Sequence, residues 1–186
     1  MYYETKIVDH IRVPPDHFHL AKEEAIRQRI RNDYGGYISK DLGIVIDVGG
    51  IESIKEGVVI PGDGAAYYET TFALMIFKPE LQEVVLGKIK DITDFGAFLH
   101  LGAIDGMIHV SQTMDDFVSF SKEKSLLGKE TKRVLKVGDA CRAKIIAISY
   151  KDVNNPKIGL TMRQPGLGKT EWTEEENEPE KKKAKK

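Results

Sequence analysis

The sequence predicts two folding units in series: an α+β N-terminal domain, an antiparallel sheet with one helix, followed by an all-β five-stranded barrel. Three observations carry this. One segment, residues 21–34, repeats its apolar residues at helical spacing. The other apolar runs alternate with a period of two, which sends successive side chains to opposite faces of a strand. Between the two patterns stands Lys78-Pro79-Glu80, and proline cannot donate to a strand ladder. The domains are therefore expected at 1–80 and 81–168, with a charged tail over 169–186.

The first unit begins with β-forming residues, Tyr3, Ile7, Val8, Ile11 and Val13, in a run that Pro14-Pro15 ends. Ala21, Ala25, Ile26, Ile30 and Tyr34 then mark one face of a helix, with Arg27, Arg29 and Arg31 on its solvated side. Gly35-Gly36 stops it, as glycine closes helices without a Cβ penalty. Three more strands are expected at Tyr37–Val48, Ile51–Ile60 and Tyr67–Phe77. The last is nearly apolar at its end, which fits burial on both faces or contact with another protein. Pro61-Gly62-Asp63-Gly64-Ala65-Ala66 joins the final pair. Its turn chemistry fits a plain hairpin connection, and tight loops of this kind also carry function on rigid scaffolds. One helix covers one sheet face, so the other face needs a neighbouring domain or another chain.

In the second unit, a strand over Glu83–Ile92 meets a corner at Phe95-Gly96-Ala97-Phe98, and the next strand runs to Leu101. Gly102–Gly106 reads as a loop and Met107–Val110 as the third strand. Met114–Val134 is a polar, lysine-bearing insertion, expected to be part helix. Val137-Gly138-Asp139 turns into Ala140–Ser149, and Lys157–Met162 closes the set. Five short strands with these turn signals suit a Greek-key barrel of the oligonucleotide-binding (OB) fold, whose strand 2–3 face takes the ligand. Ala97, Leu99 and Leu101 fall on one face; Phe98 and His100 fall on the other. Phe95, Phe98, His100 and His109 are the candidate stacking groups, and Lys88, Lys90, Arg142 and Lys144 the candidate phosphate contacts. The other reading that the pattern leaves open for Phe95 and Phe98 is a core role capping the barrel. From Thr170 the chain is almost purely charged apart from Trp172, and is expected to be disordered past about residue 174.

Charge supports the division. The chain carries a net charge of −1, with 9 Lys/Arg against 13 Asp/Glu in residues 1–80, 13 against 10 in 81–168, and 6 against 6 in 169–186. The barrel is the basic block. A single cysteine, Cys141, excludes an intramolecular disulfide and fits a reducing compartment. No run approaches the ~20 apolar residues of a membrane span, and no apolar signal core opens the chain, so a cytoplasmic location is expected. Asp94-Phe95-Gly96 lacks the rest of a kinase signature. Gly168-Lys169-Thr170 lacks the first glycine of a phosphate-binding loop, because that position is Arg163. The five histidines show no metal-site spacing. No catalytic site, metal or cofactor is expected.

Residues 81–163 resemble an S1 RNA-binding domain, through Gly87…Phe95-Gly96-Ala97-Phe98…Gly106-Met107-Ile108-His109-Val110-Ser111 and Val137-Gly138-Asp139…Lys144. The resemblance implies binding of single-stranded RNA at Phe95, Phe98 and His109. Ser149 and Lys157 stand where S1 domains usually carry aspartate and arginine, which implies weaker or altered binding. Ile11-Arg12-Val13-Pro14-Pro15, Ile60-Pro61-Gly62-Asp63-Gly64-Ala65, Met114-Asp115-Asp116 and Leu160-Thr161-Met162-Arg163-Gln164-Pro165-Gly166-Leu167-Gly168-Lys169 extend the likeness. Together they are similar to the E prime stalk subunits of archaeal RNA polymerase and, more distantly, to the seventh subunit of eukaryotic polymerase II. That resemblance implies a heterodimer with the other stalk polypeptide, called F, beside the RNA exit path. It also implies docking on the polymerase core through an N-terminal tip at Arg12, Pro14, Pro15, Pro61, Gly62, Asp63 and Gly64. An S1-containing translation-initiation factor and an exosome-cap subunit are the alternatives.

Overall fold

The computed structural model describes residues 1–121, 123–152 and 156–173. Its chain divides into two compact units, Met1–Lys78 and Pro79–Lys186.

The first unit is a sheet of order β1-β4-β3-β2, formed by β1 (Tyr2–Val13), β2 (Ile38–Ser39), β3 (Gly43–Val59) and β4 (Ala66–Phe77). The helix α1 (Lys22–Tyr34) packs on one face. Alternate residues of the strands point towards it: Ile11 and Val13 from β1, and Phe72, Leu74 and Ile76 from β4, enclose Ile26 and Ile30 of the helix. Each such side chain contributes roughly 1.5–3 kcal/mol by leaving water. Tyr34 closes the core, its ring edge-on to Phe72 at 5.2 Å and its hydroxyl donating to Asp9 at 2.6 Å. The arginines of the solvated face pair within the helix, Arg27 with Glu23 and Arg29 with Asp33.

One expectation fails here. The two strands anticipated at Tyr37–Val48 and Ile51–Ile60 are a single long β3, preceded by the two-residue β2. Gly49-Gly50 does not turn the chain. The pairing with β4 slips between Val48 and Ile51, one of four register shifts along the strand. Bulges of this kind absorb extra residues and bend a strand without ending it.

The second unit contains β5 (Val84–Thr93), β6 (Gly96–His100), β7 (Asp105–His109), β11 (Ala140–Ser149) and β12 (Lys157–Thr161). Antiparallel pairs β5–β6, β6–β7, β11–β5 and β11–β12, with parallel β12–β7, close these five into an OB barrel. Ile89, Ile92, Leu99, Ile108, Ile145 and Leu160 fill it. Gly96 is required by close approach: a Cβ there would lie 2.1 Å from the carbonyl oxygen of Ile108.

The insertion is not part helix, as its lysine content suggested. It is a three-stranded antiparallel sheet of β8 (Val118–Ser121), β9 (Ser125–Gly128) and β10 (Val134–Lys136). Leu126 and Leu135 pair across β9 and β10 and are fully buried. The Asp116 carboxylate accepts from the backbone N–H of Glu130 and Thr131 and from the Thr131 hydroxyl, which fixes the turn before β10. Asp115 binds the Arg163 guanidinium at 2.7 and 2.8 Å. Asp115 therefore ties the insertion to the segment after β12, while Asp116 holds the insertion's own turn.

Order continues past residue 168, where the tail was expected to start. Gly168–Lys169 forms β13 against Cys141 and Arg142 of β11. Lys169 bridges Asp139 and Glu171, and Trp172 is only 8% exposed, with the Arg133 guanidinium 5.4 Å from its ring centre. The expected disorder past 174 lies outside the described residues, as does most of the turn through Asn154-Asn155-Pro156.

Candidate nucleic-acid interface and docking tip

Cross-strand register builds the outer face of the barrel in rows. Lys88, His100 and Asp105 stand side by side on β5, β6 and β7; the next row is Asp91, Phe98, Met107 and Gly159; His109 lies beyond, opposite Gly96. The alternation of β6 holds, with Ala97 and Leu99 buried and Phe98 and His100 outward. Phe98 is half-buried and Phe95, at 47% exposure, meets it edge to face with ring centres 6.0 Å apart. Neither ring is in the barrel core, which removes the core role that the sequence left open for them.

Phe98, Met107 and His109 line a groove of about 610 Å³ together with Ile146, Pro156 and Lys157. Its walls are aromatic and aliphatic, with Asp105, His109, Gln112, Ser149 and Lys157 as polar groups. His109 Nδ1 accepts from the Ser111 backbone N–H at 3.3 Å and lies 2.8 Å from the Ser111 hydroxyl. In the neutral ring this leaves the proton on Nε2, free to donate outward. Aromatic and aliphatic walls with a few polar groups are the chemistry on which flat, unpaired bases stack.

The predicted cations divide. Lys88 is exposed beside His100. Lys90 and His100 both engage Asp105, His100 Nδ1 at 2.6 Å. Partial burial pushes the Asp105 carboxyl upward, but the hydrogen bonds from Lys90 and His100 outweigh it and leave its pKa below the ordinary 3.8. Arg142 and Lys144 do not line the groove. They pair with Leu86 and Val84 of β5, whereas the groove is reached from Ile146 of the same β11 onwards. Arg142 is four positions from Ile146, roughly 13 Å along a strand at about 3.3 Å per residue, and Lys144 is two positions from it, at about half that distance.

Sequence reasoning missed Met107, Ile146 and Pro156. For Met107 the signal was present: it sits outward between buried Gly106 and Ile108, directly across from Phe98. Ile146 and Pro156 reach the groove only because β12 closes the barrel, which alternation cannot disclose. Ser149 and Lys157, the two departures from the usual S1 pattern, both line it.

At the end of the first unit, the loop between β3 and β4 carries the expected docking residues. Gly62 and Gly64 have φ of +95° and +70°, left-handed values that favour glycine. Pro61 through Gly64 are exposed, as are Val58, Val59 and Ile60 before them. Arg12, 51 residues earlier on β1, reaches across: its Nε and Nη2 donate to Asp63 Oδ2 and Oδ1 at 3.0 and 2.6 Å. Tyr67 donates its hydroxyl to Asp63 Oδ2 at 2.6 Å. The Arg12 guanidinium first, then the Tyr67 hydroxyl, hold the Asp63 pKa down at about 2. Pro14 and Pro15 lead into a 3₁₀ turn immediately after β1.

Residues 8–64 match the family model described as the SHS2 domain found in the N terminus of Rpb7p/Rpc25p/MJ0397, and residues 78–158 match the S1 RNA-binding domain. An SHS2 domain followed by an S1 barrel is thus the class of chain that the fold and its outer face define. The DNA-directed RNA polymerase subunit Rpo7 of Saccharolobus solfataricus is 36% identical over 174 residues, 92% of this chain and 97% of the relative. Rpo7 of Sulfolobus acidocaldarius is 35% identical over 89% of this chain and 91% of its own length. The RNA polymerase III subunit RPC8 of Saccharomyces cerevisiae is 32% identical over 82% and 74%. The chain belongs to the Rpo7 family of archaeal RNA polymerase subunits. Among the described residues, no helix is long and apolar enough to cross a membrane.

Proposed function

We propose that the chain is a stalk subunit of an archaeal RNA polymerase in the cytoplasm: it pairs with the F polypeptide of the stalk, docks on the core through its N-terminal unit, and binds emerging single-stranded RNA on its S1 barrel. It contributes no catalytic group of its own; nucleotidyl transfer belongs to the core. The observation that carries the RNA role is the grouping of Phe98, Met107 and His109 along an apolar groove, with Lys157 at its wall. Phe95, Lys88, Lys90 and His100 flank that grouping, while Arg142 and Lys144 serve RNA farther along the barrel. Docking falls to the tip formed by Arg12, Pro14, Pro15 and the Pro61–Gly64 loop, with exposed Val58, Val59 and Ile60 beside it. β4 and the β8–β10 insertion are the surfaces assigned to the F polypeptide. Affinity capture of the tagged chain from its source cell tests the assembly. Core subunits and the F polypeptide in stoichiometric amounts are expected; recovery with ribosomes or with a trimeric exoribonuclease ring would overturn it.

A further inference from the structure

We propose that Arg12, Asp63 and Tyr67 form an internal latch that fixes the β3–β4 loop before it meets any partner, so that these side chains position the tip and do not themselves bind the polymerase core. Sequence resemblance places Arg12 and Asp63 together as docking residues without saying that they bind each other. The structure gives them a reciprocal partner. Both Asp63 oxygens are occupied, Oδ1 by Arg12 and Oδ2 by Arg12 and Tyr67. The fork of the guanidinium matches the carboxylate in a two-bond geometry that a lysine cannot copy. Asp63 is anchored to β1 through Arg12 and to β4 through Tyr67, and it sits between two glycines with left-handed backbones. Those glycines make the loop's conformation permissible; they do not make it unique, because glycine loses the most freedom on ordering. The latch supplies the missing restraint. A partner that reaches either residue meets a charge its neighbour already compensates, so the pair acts through the shape it gives the loop.

The latch is a property of the free chain, and only its consequence for attachment rests on the docking reading. Hydrogen exchange of loop residues 61–66 is measured by mass spectrometry on the full chain carrying Asp63→Asn, Arg12→Gln, Tyr67→Phe, or the first two together. In parallel, each protein is titrated against polymerase core lacking the stalk. Tyr67→Phe removes one hydroxyl and serves where the charge variants disturb folding. Each single variant is expected to raise loop exchange roughly two- to fivefold, the scale of a screened exposed pair, and the double variant no further than Arg12→Gln alone. Affinity for the core is expected to fall with the same non-additivity. Unchanged loop exchange in all variants overturns the latch, and so do additive losses of core affinity with an undisturbed loop, which mean direct contact. Raised, non-additive exchange with unaltered core affinity upholds the latch and refutes docking through this loop.

Discussion

At the residue scale, the decisive placements are those that bring distant positions together. Phe98 was legible as outward from alternation alone, because β6 is regular and its neighbours Ala97 and Leu99 are buried. The Arg12–Asp63 pair was not, since the two residues come from β1 and a loop 51 positions later and meet only once β4 lies between β1 and β3. Phe98→Ala is expected to weaken single-stranded RNA binding by about 1–3 kcal/mol, the worth of a stacked base, measured by titration of the full chain. Its unfolding free energy should fall by less than the ~3 kcal/mol or more that truncating a core aromatic costs; a larger loss makes Phe98 a structural residue. Asp63 yields a second expectation. Its folded pKa of about 2 lies below its ordinary 3.8, so the pair stabilises the loop at neutral pH and loses that contribution as pH falls through the interval from 3.8 towards 2. An NMR titration following the Asp63 carboxyl should show no change at pH 4; a midpoint near 3.8 contradicts the pairing.

At the element scale, strands were readable where β-forming residues run between turn signals, which covers β1, β4 and the five strands of the barrel, despite the register shifts in β5–β6 and β11–β12. Two elements were not. In β3 the glycine pair looked like a break and is instead accommodated in register slips, which leave no mark in periodicity. In the insertion, lysines and glutamates between short β-forming runs mimicked a polar helix; the runs themselves, such as Ser125-Leu126-Leu127-Gly128, are too short for their alternation to register. Met114-Asp115-Asp116 and the segment around Arg163 were recognised as a signature without a reason, and the reason is mutual: Asp115 binds Arg163 and Asp116 caps the β9–β10 turn. Because Leu126 is fully buried in the insertion sheet, Leu126→Ala should cost about 2–5 kcal/mol in denaturant unfolding. Phe117→Ala, at a side chain 75% exposed, should stay within about 0.5 kcal/mol. Equal costs would mean that the insertion has no core of its own.

At the scale of the whole molecule, charge and chemistry are divided between the two units. The first is acidic and ends in a latched loop with exposed aliphatic residues beside it; the second is basic and carries an aromatic face over a groove. In the proposed stalk that division has a purpose: the first unit is the one assigned to attachment, the second the one assigned to the transcript. The groove keeps a lysine and a serine where S1 domains usually place arginine and aspartate, so the hold on RNA is expected to be loose enough for the strand to slide. The barrel face is proposed to receive emerging RNA, and photo-crosslinking of nascent transcript in the assembled polymerase, followed by peptide mapping, tests this. Crosslinks in residues 88–110 and 140–163, reduced by Phe98→Ala, are the predicted result; transcript crosslinked elsewhere in the enzyme with none in either segment would contradict it.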